Sequence, residues 1–154
     1  MASVAPLSPG KARGLATAST AGGIFTVLAI DHRDSLRVVL DPADPGSVEP
    51  ATITDLKLEL LRGLAGGASA VMLEPEYSAA QAIVARALPG SVGFLAAVEA
   101  QGYLADPEAQ RTTLLDDWGV AKAKRLGASG IKLLVLYHPD GGAVSDAQER
   151  TIGE

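Results

Sequence analysis

The sequence predicts an α/β protein of about four βα units arranged around a parallel sheet. Four continuous apolar runs are spaced along its 154 residues, and such runs are typical of strands that are buried on both faces. Helical periodicity follows the runs, and short glycine or proline breaks separate the segments. This alternation is typical of repeated βαβ units with right-handed crossovers.

The predicted strands are the four apolar runs themselves. They are IFTVLAI (24–30), SAVML (69–73), VGFLAAV (92–98) and GIKLLVLY (130–137). Residues 1–10 carry two prolines and a glycine among small residues, and we expect them to form a flexible tail. The α/β domain is therefore expected to cover residues 11–154.

The predicted helices lie between these strands. A short helix is expected around residues 11–20, and a longer one from a capping Thr52 or Thr54 to Leu64. The apolar residues that share one face of the longer helix are Ile53, Leu56, Leu60, Leu61 and Leu64. Helices are also predicted over 78–87 and 114–126, another begins near residue 145, and loops are predicted over 41–50 and 101–112.

Composition limits the chemistry and the partners. With 47% hydrophobic and 20% charged residues, the chain has the make-up of a globular domain. It has no cysteine, which excludes disulfides, thiolate zinc sites and cysteine nucleophiles. A net charge of −5 without a basic cluster argues against nucleic-acid or anionic-membrane partners. Small-molecule or protein partners remain. No secretory signal or membrane-spanning run is evident, so we expect a cytoplasmic protein.

Charged residues follow the predicted strands, where α/β proteins bind ligands. Two architectures share this rhythm, the open doubly wound sheet and the barrel, and both place ligands at the carboxyl ends of strands. No G-x-G-x-x-G fingerprint follows the first strand, which weakens the dinucleotide-binding form of the open sheet. The strand-end residues are Asp31, His32, Arg33, Asp34, Glu74, Glu76, Tyr77, Glu99, Lys132 and His138. They are candidate functional groups, against the alternative of ordinary solvated loop residues.

Lys132 is the most informative of these residues because it lies inside an apolar run. An unpaired ammonium in a protein core is strongly destabilising or loses its proton. One alternative is a surface-facing lysine on a short edge strand. The other is a lysine that points into the mouth of the sheet and meets carboxylates such as Asp31, where it handles protons or acts as a nucleophile.

A metal site is a weaker alternative. Hard cations favour clustered carboxylates, and Asp31, Glu74, Glu76 and Glu99 are the available set. The two histidines have no zinc-type spacing, so no histidine metal site is expected.

Four stretches carry a family resemblance. LAIDHRDSL (28–36), VMLEPEYS (71–78), GFLAAVEAQGY (93–103) and DDWGVAKAKRLGASGIKLLVLYHPD (116–140) resemble, in the same order, segments of the class I tagatose-1,6-bisphosphate aldolase family, including its sulfofructose-phosphate aldolase relatives. The resemblance extends from about Lys11 to the last residue. It implies the N-terminal half of a TIM (β/α)8 barrel and a metal-free, cofactor-free cleavage of a ketose phosphate into dihydroxyacetone phosphate and an aldehyde.

The resemblance also implies roles for particular residues. Asp31 matches the aspartate that binds substrate hydroxyls near the cleaved bond, and Lys132 matches an auxiliary cation beside the reactive lysine. His32 stands where relatives often have glutamine, and both side chains donate hydrogen bonds. The other candidate substrate-binding residues at the strand ends are Arg33, Glu74, Glu76 and Glu99.

The Schiff-base lysine of the family belongs to a later strand, and none of the lysines in this chain matches it. We therefore expect the 154-residue chain alone to be inactive as an aldolase. The alternative function is that of a truncated remnant that at most binds sugar phosphates. A half barrel also leaves two open edge strands, which predicts self-association.

Overall fold

The computed structural model describes residues 6–100 and 112–153, and its centre is one parallel sheet. The four strands occur in the sheet in their chain order, and each neighbouring pair is parallel. Each crossover therefore moves one strand further in the same direction. The strands are β1 (Val27–Ala29), β2 (Ala70–Leu73), β3 (Gly93–Ala97) and β4 (Gly130–Lys132).

Helices precede the sheet and follow every strand. Single 3-10 turns at Pro45–Ser47 and Ala65–Gly67 flank the longest helix. None of the helices within residues 6–100 and 112–153 combines the length and the apolar character needed to span a membrane. The helices are α1 (Pro9–Ala18), α2 (Asp34–Leu40), α3 (Pro50–Leu64), α4 (Ala79–Val84), α5 (Val120–Leu126) and α6 (Ala143–Gly153).

Strand register aligns the carboxyl ends of the sheet. Val27 lies beside Ala70 and Ala70 beside Gly93, while Leu95 lies beside Gly130. The ladder continues past the strands, since the Val98 N–H donates to the Lys132 carbonyl at 3.1 Å. The residues that follow the strands are thus brought to one edge of the sheet, which is where ligand sites form in parallel α/β folds.

The core lies between the sheet and the helices, and α3 supplies its largest face. Ile53, Leu58 and Leu61 are buried there, but Leu60 and Leu64, which were predicted on the same face, are exposed. The buried stripe is rotated because Lys57 lies within it and is itself fully buried. The periodicity of apolar residues alone therefore misplaced the face, since a buried lysine is not part of that pattern.

Several predicted bounds differ from the structure. α2 was not predicted, because its seven residues are too few to display a helical period. α3 begins at Pro50, an N-terminal position that suits proline, and Thr52 lies inside it rather than capping it. α5 begins at Val120 rather than near residue 114. The preceding Trp118 follows a turn and donates its indole N–H to the Ala97 carbonyl at 2.9 Å.

The fourth strand is shorter than its apolar run. β4 ends at Lys132, and the following segment finds hydrogen-bond partners outside the sheet. The Leu134 carbonyl accepts from the Thr112 hydroxyl at 2.7 Å, and the Leu136 carbonyl accepts from the Gln148 amide at 3.0 Å. Most of the predicted loop over 101–112 falls outside the described residues. So does half of the predicted tail, of which Pro9 and Gly10 belong to α1.

α1 packs against β3 and β4 near their amino ends, and two glycines permit the close approach. A Cβ placed on Gly93 would lie 2.7 Å from the Ala18 Cα, and one placed on Gly14 would overlap the Ser129 carbonyl oxygen. The Ser69 hydroxyl donates to the Ala18 carbonyl at 2.8 Å and anchors the end of the helix. These contacts leave no space for a larger residue at Gly14 or Gly93.

We predict that Gly14→Ala destabilises the protein by about 1–3 kcal/mol, because the added methyl meets backbone that cannot move independently. Gly10→Ala is the matched control in the same helix, since a Cβ added there would meet nothing within 4 Å. That control should be neutral or stabilising by up to about 1 kcal/mol. Urea unfolding of both variants measures the difference in stability. Equal stabilities would show that the close approach of Gly14 to the Ser129 carbonyl does not limit the size of residue 14.

Candidate active site

Three charged side chains meet at the carboxyl ends of β1, β3 and β4. Asp31 follows β1, Glu99 follows β3, and Lys132 is the last residue of β4. The Lys132 ammonium lies 2.8 Å from an Asp31 carboxylate oxygen and forms a second ion pair with Glu99. Both carboxylates are buried, and the lysine is mostly so. Lys132 therefore points into the mouth of the sheet rather than outward from an edge strand.

The two carboxylates fix the charge of Lys132. Burial lowers the pKa of Lys132, but hydrogen bonds and charge attraction from Asp31 and Glu99 outweigh it, so the pKa lies above its usual 10.5. The amine is therefore protonated at neutral pH. Such a group supplies positive charge and hydrogen-bond donors, whereas a nucleophilic lysine needs the free amine.

Glu99 organises the backbone around this cluster as well. One carboxylate oxygen pairs with Lys132, and the other accepts from the Leu134 N–H at 3.4 Å. The Glu99 carbonyl accepts from the Arg33 guanidinium at 2.7 Å. Both ends of Glu99 are thus engaged with the protein, and direct substrate contact by this residue stays a prediction.

The neighbours of Asp31 in the sequence point in different directions. Arg33 is only 3% exposed, and its Nε has no hydrogen-bond partner within the described ranges. His32 is exposed, so its side chain is open to solvent beside the mouth. Substrate binding by His32 and Arg33 stays a prediction.

A second buried ion pair lies close by, and its lysine was not among the predicted site residues. The Lys57 ammonium of α3 lies 2.6 Å from a Glu74 carboxylate oxygen, and both side chains are fully buried. The Ser78 hydroxyl donates to the same oxygen at 2.7 Å. The other oxygen accepts from the Glu76 and Tyr77 N–H groups at 2.7 and 2.9 Å. The Glu74 carboxylate thus holds the turn over residues 74–78 that follows β2, which we call the corner.

Charges from three elements surround this corner. Lys57 and Arg37 each lie 5.7 Å from the centre of the Tyr77 ring, and Arg37 donates to the Tyr77 hydroxyl at 3.2 Å. Burial lowers the pKa of Lys57, and the opposing attraction of Glu74 does not fully offset it. Asp31 and Arg33 also act electrostatically on Lys57, so the two ion-pair clusters are neighbours. The sequence signal that could have identified Lys57 is its position within the buried stripe of α3.

The candidate metal-binding carboxylates are divided among these clusters. Asp31 and Glu99 are paired with Lys132, Glu74 is paired with Lys57, and Glu76 is exposed. Within the described parts of the chain, no three His, Asp or Glu side chains are grouped so as to hold a metal ion.

Comparison with known proteins identifies the family of this chain. Residues 25–154 match the DeoC/LacD family of aldolases. The chain belongs to the DeoC/LacD aldolase family. Membership and the four βα units together confirm the predicted fold class, a partial TIM (β/α)8 barrel of about four units. The resemblance to tagatose-bisphosphate aldolases is confirmed as well.

Similar proteins in this family are longer. The chain is 36% identical to tagatose 1,6-diphosphate aldolase 2 of Enterococcus faecalis over 139 residues, which cover 87% of this chain and 39% of the relative. It is 30% identical to tagatose 1,6-diphosphate aldolase 2 of Streptococcus mutans, covering 94% and 43%, and 34% identical to tagatose 1,6-diphosphate aldolase of Listeria monocytogenes, covering 87% and 38%. This DeoC/LacD chain thus spans about two fifths of the length of these relatives.

We predict that Lys57→Met lowers the free energy of unfolding by about 3–5 kcal/mol, because it leaves the buried Glu74 charge uncompensated. Lys122→Met is the matched control, since Lys122 pairs at 2.8 Å with the exposed Asp117 and such surface pairs contribute about 1 kcal/mol or less. Thermal or urea unfolding measures both. Adding Glu74→Gln to Lys57→Met should recover part of the loss, and an unchanged or larger loss would contradict the charge-based explanation.

Proposed function

We propose that this chain supplies the substrate-positioning half of a class I aldolase that cleaves a tagatose-1,6-bisphosphate-like ketose phosphate into dihydroxyacetone phosphate and an aldehyde. The observation that carries the proposal is the buried cluster of Asp31, Glu99 and Lys132 at the ends of three parallel strands. Its setting in a DeoC/LacD family member, and the names of the relatives, support the substrate class.

The reaction needs an amine nucleophile and groups that move protons. The amine adds to the ketone and loses water, which gives an iminium. Loss of the proton from the C4 hydroxyl then breaks the C3–C4 bond, the aldehyde leaves, and the bonding electrons move into the iminium to form an enamine. Protonation of that enamine at carbon and hydrolysis release dihydroxyacetone phosphate and restore the amine.

In this proposal the described residues prepare that chemistry rather than perform the nucleophilic step. Asp31 accepts hydrogen bonds from substrate hydroxyls near the cleaved bond and is oriented by Lys132 at 2.8 Å. The Lys132 ammonium adds positive charge next to the reacting centre. A nearby cation disfavours protonation of a second amine, which keeps that amine nucleophilic. The second amine would come from the part of the barrel outside these four βα units.

The alternative function is sugar-phosphate binding without turnover. For the 154-residue chain tested by itself we favour this alternative, because both buried lysines near the strand ends are held in ion pairs. Paired ammonium groups are poor nucleophiles.

We expect no Schiff base when the 154-residue chain is incubated with dihydroxyacetone phosphate at neutral pH and reduced with borohydride. Intact mass spectrometry should show unmodified protein, because the raised pKa keeps Lys132 protonated. The Enterococcus faecalis relative, treated in parallel, is the positive control for trapping. A stoichiometric adduct that peptide mapping assigns to Lys132 would instead make this lysine the nucleophile.

We expect Asp31→Asn to lower kcat/KM by about 10–100-fold in a barrel completed by fusing these residues to the remainder of the Enterococcus faecalis relative. Asn keeps the size of the side chain but lacks the charge that strengthens the hydrogen bonds from the substrate hydroxyls. Asp55→Asn, at an exposed position on α3, should leave kcat/KM unchanged. A parallel loss of folded protein, measured by thermal unfolding, would point to a structural role for Asp31.

A further inference from the structure

We propose that a groove between the C-terminal ends of α4 and α5 binds a small amphipathic monocarboxylate, with the carboxylate on Arg86 and the hydrocarbon part against an apolar wall. The groove lies over the amino end of β3, at the opposite edge of the sheet from Asp31, Glu99 and Lys132. β3 is paired with β2 on one side and with β4 on the other, so the groove does not depend on an open edge of the sheet. Binding there does not depend on the proposed function.

The groove has the size and the lining of a small-molecule site. Its volume is about 320 Å³, which lies at the lower end of the range for ligand pockets. Among the described residues that line it none is acidic, and Arg86 is the one that carries a charge. An apolar wall with one cation favours a ligand that has an apolar body and one negative charge. The apolar side chains of the wall are Ile83, Leu88, Val92, Phe94 and Leu126.

The backbone of Arg86 indicates that its side chain has a use. α4 and α5 end in the same capping motif, in which a residue just past the helix adopts the left-handed conformation. In each motif the N–H of the following residue donates to a carbonyl five positions earlier, at 2.9 Å after α4 and 3.0 Å after α5. The left-handed residue after α5 is Gly127, with φ 100°, whereas after α4 it is Arg86, with φ 52°. Glycine adopts this conformation without strain, but arginine does not.

The Arg86 side chain has no partner that would explain the strain. It is exposed, and it makes no hydrogen bond or ion pair with the described residues. Asp117 is the other non-glycine residue with a positive φ in the described ranges. Aspartate tolerates this conformation better than arginine, and Asp117 pairs with Lys122 at 2.8 Å. An anion in the groove would give the Arg86 guanidinium the partner that the described protein does not supply.

The charges around the groove favour a carboxylate over a phosphate. The C-terminal end of a helix carries partial negative charge, which disfavours anions. That effect is small here, because α5 carries Lys124 and Arg125 in its last turn and α4 has only six residues. A guanidinium donates two parallel hydrogen bonds to a carboxylate, whereas a phosphate dianion would require more donors than Arg86 alone provides. We therefore expect a ligand with a single carboxylate.

Amide NMR of the isotope-labelled chain tests binding, with hexanoate as the probe. Saturable shifts should appear at Gly90 and Gly127 in the groove wall, and hexanol or inorganic phosphate should cause smaller shifts. Arg86→Gln should weaken binding by about 10–100-fold, because it removes a charged hydrogen-bond donor. Ile83→Glu should also weaken it, by placing a carboxylate beside the ligand. Arg62→Gln, at an exposed position on α3, is the matched control and should leave binding unchanged. Equal shifts with hexanol, or binding that survives Arg86→Gln, would overturn the proposal.

Thermal unfolding separates a binding role of Arg86 from a structural one. Arg86→Gly should raise Tm by about 2–4 °C, because it relieves the left-handed strain, and it should abolish the shifts caused by hexanoate. Gly127→Ala makes the reverse change in the neighbouring motif and should lower Tm, since an added Cβ meets nothing within 4 Å but the backbone becomes strained. A lower Tm for Arg86→Gly would show that the side chain supports the fold, and retained binding in that variant would likewise contradict the proposal.

Discussion

The structure depends on the pairing of buried charges at the carboxyl edge of a parallel sheet. Lys57 and three carboxylates are buried there, Lys132 is partly buried beside them, and each buried ion alone would cost several kcal/mol. Lys132 is neutralised by Asp31 and Glu99 only because the sheet order sets β1, β3 and β4 in one register. The strand pairing and the charge cluster therefore require one another. A change in register would separate the charges and leave them unpaired.

The same carboxylates also determine the loops. Glu74 uses both oxygens to hold four donors, and in doing so it fixes the corner that leads into α4. Glu99 reaches the chain beyond β4 through the Leu134 N–H, so the shape of that segment depends on a side chain after β3. The mouth of the sheet is consequently held by its own acidic residues. In the proposed function, the substrate therefore meets a surface that is already ordered.

The sequence predicted the sheet better than it predicted the ends of its elements. Apolar runs located all four strands, because such runs are typical of parallel strands, but only β2 and β3 are mostly buried, whereas β1 and β4 are partly or fully exposed. The end of β4 at Lys132 was missed, because Leu133 and Leu134 are as apolar as the residues before them and only their partners differ.

The charged residues show the same limit. Lys132 was identified because a charge inside an apolar strand is conspicuous, whereas Lys57 was missed because a lysine in an amphipathic helix is normally solvated. Arg33 was expected to contact substrate, yet its burial depends on the Glu99 carbonyl, a backbone group 66 positions away that no local pattern indicates. Pairings between distant segments are the part of the site that sequence patterns cannot supply.

The contact between Gly14 and Ser129 has a consequence for the time course of folding. α1 leaves the ribosome well before the backbone that it packs against, because the two segments are separated by most of the sheet in the sequence. A ten-residue helix is only marginally stable in isolation. Residues 9–18 therefore find tertiary partners only once Ser69 and β3 are in place, and the contact between Gly14 and Ser129 closes a long loop late in folding.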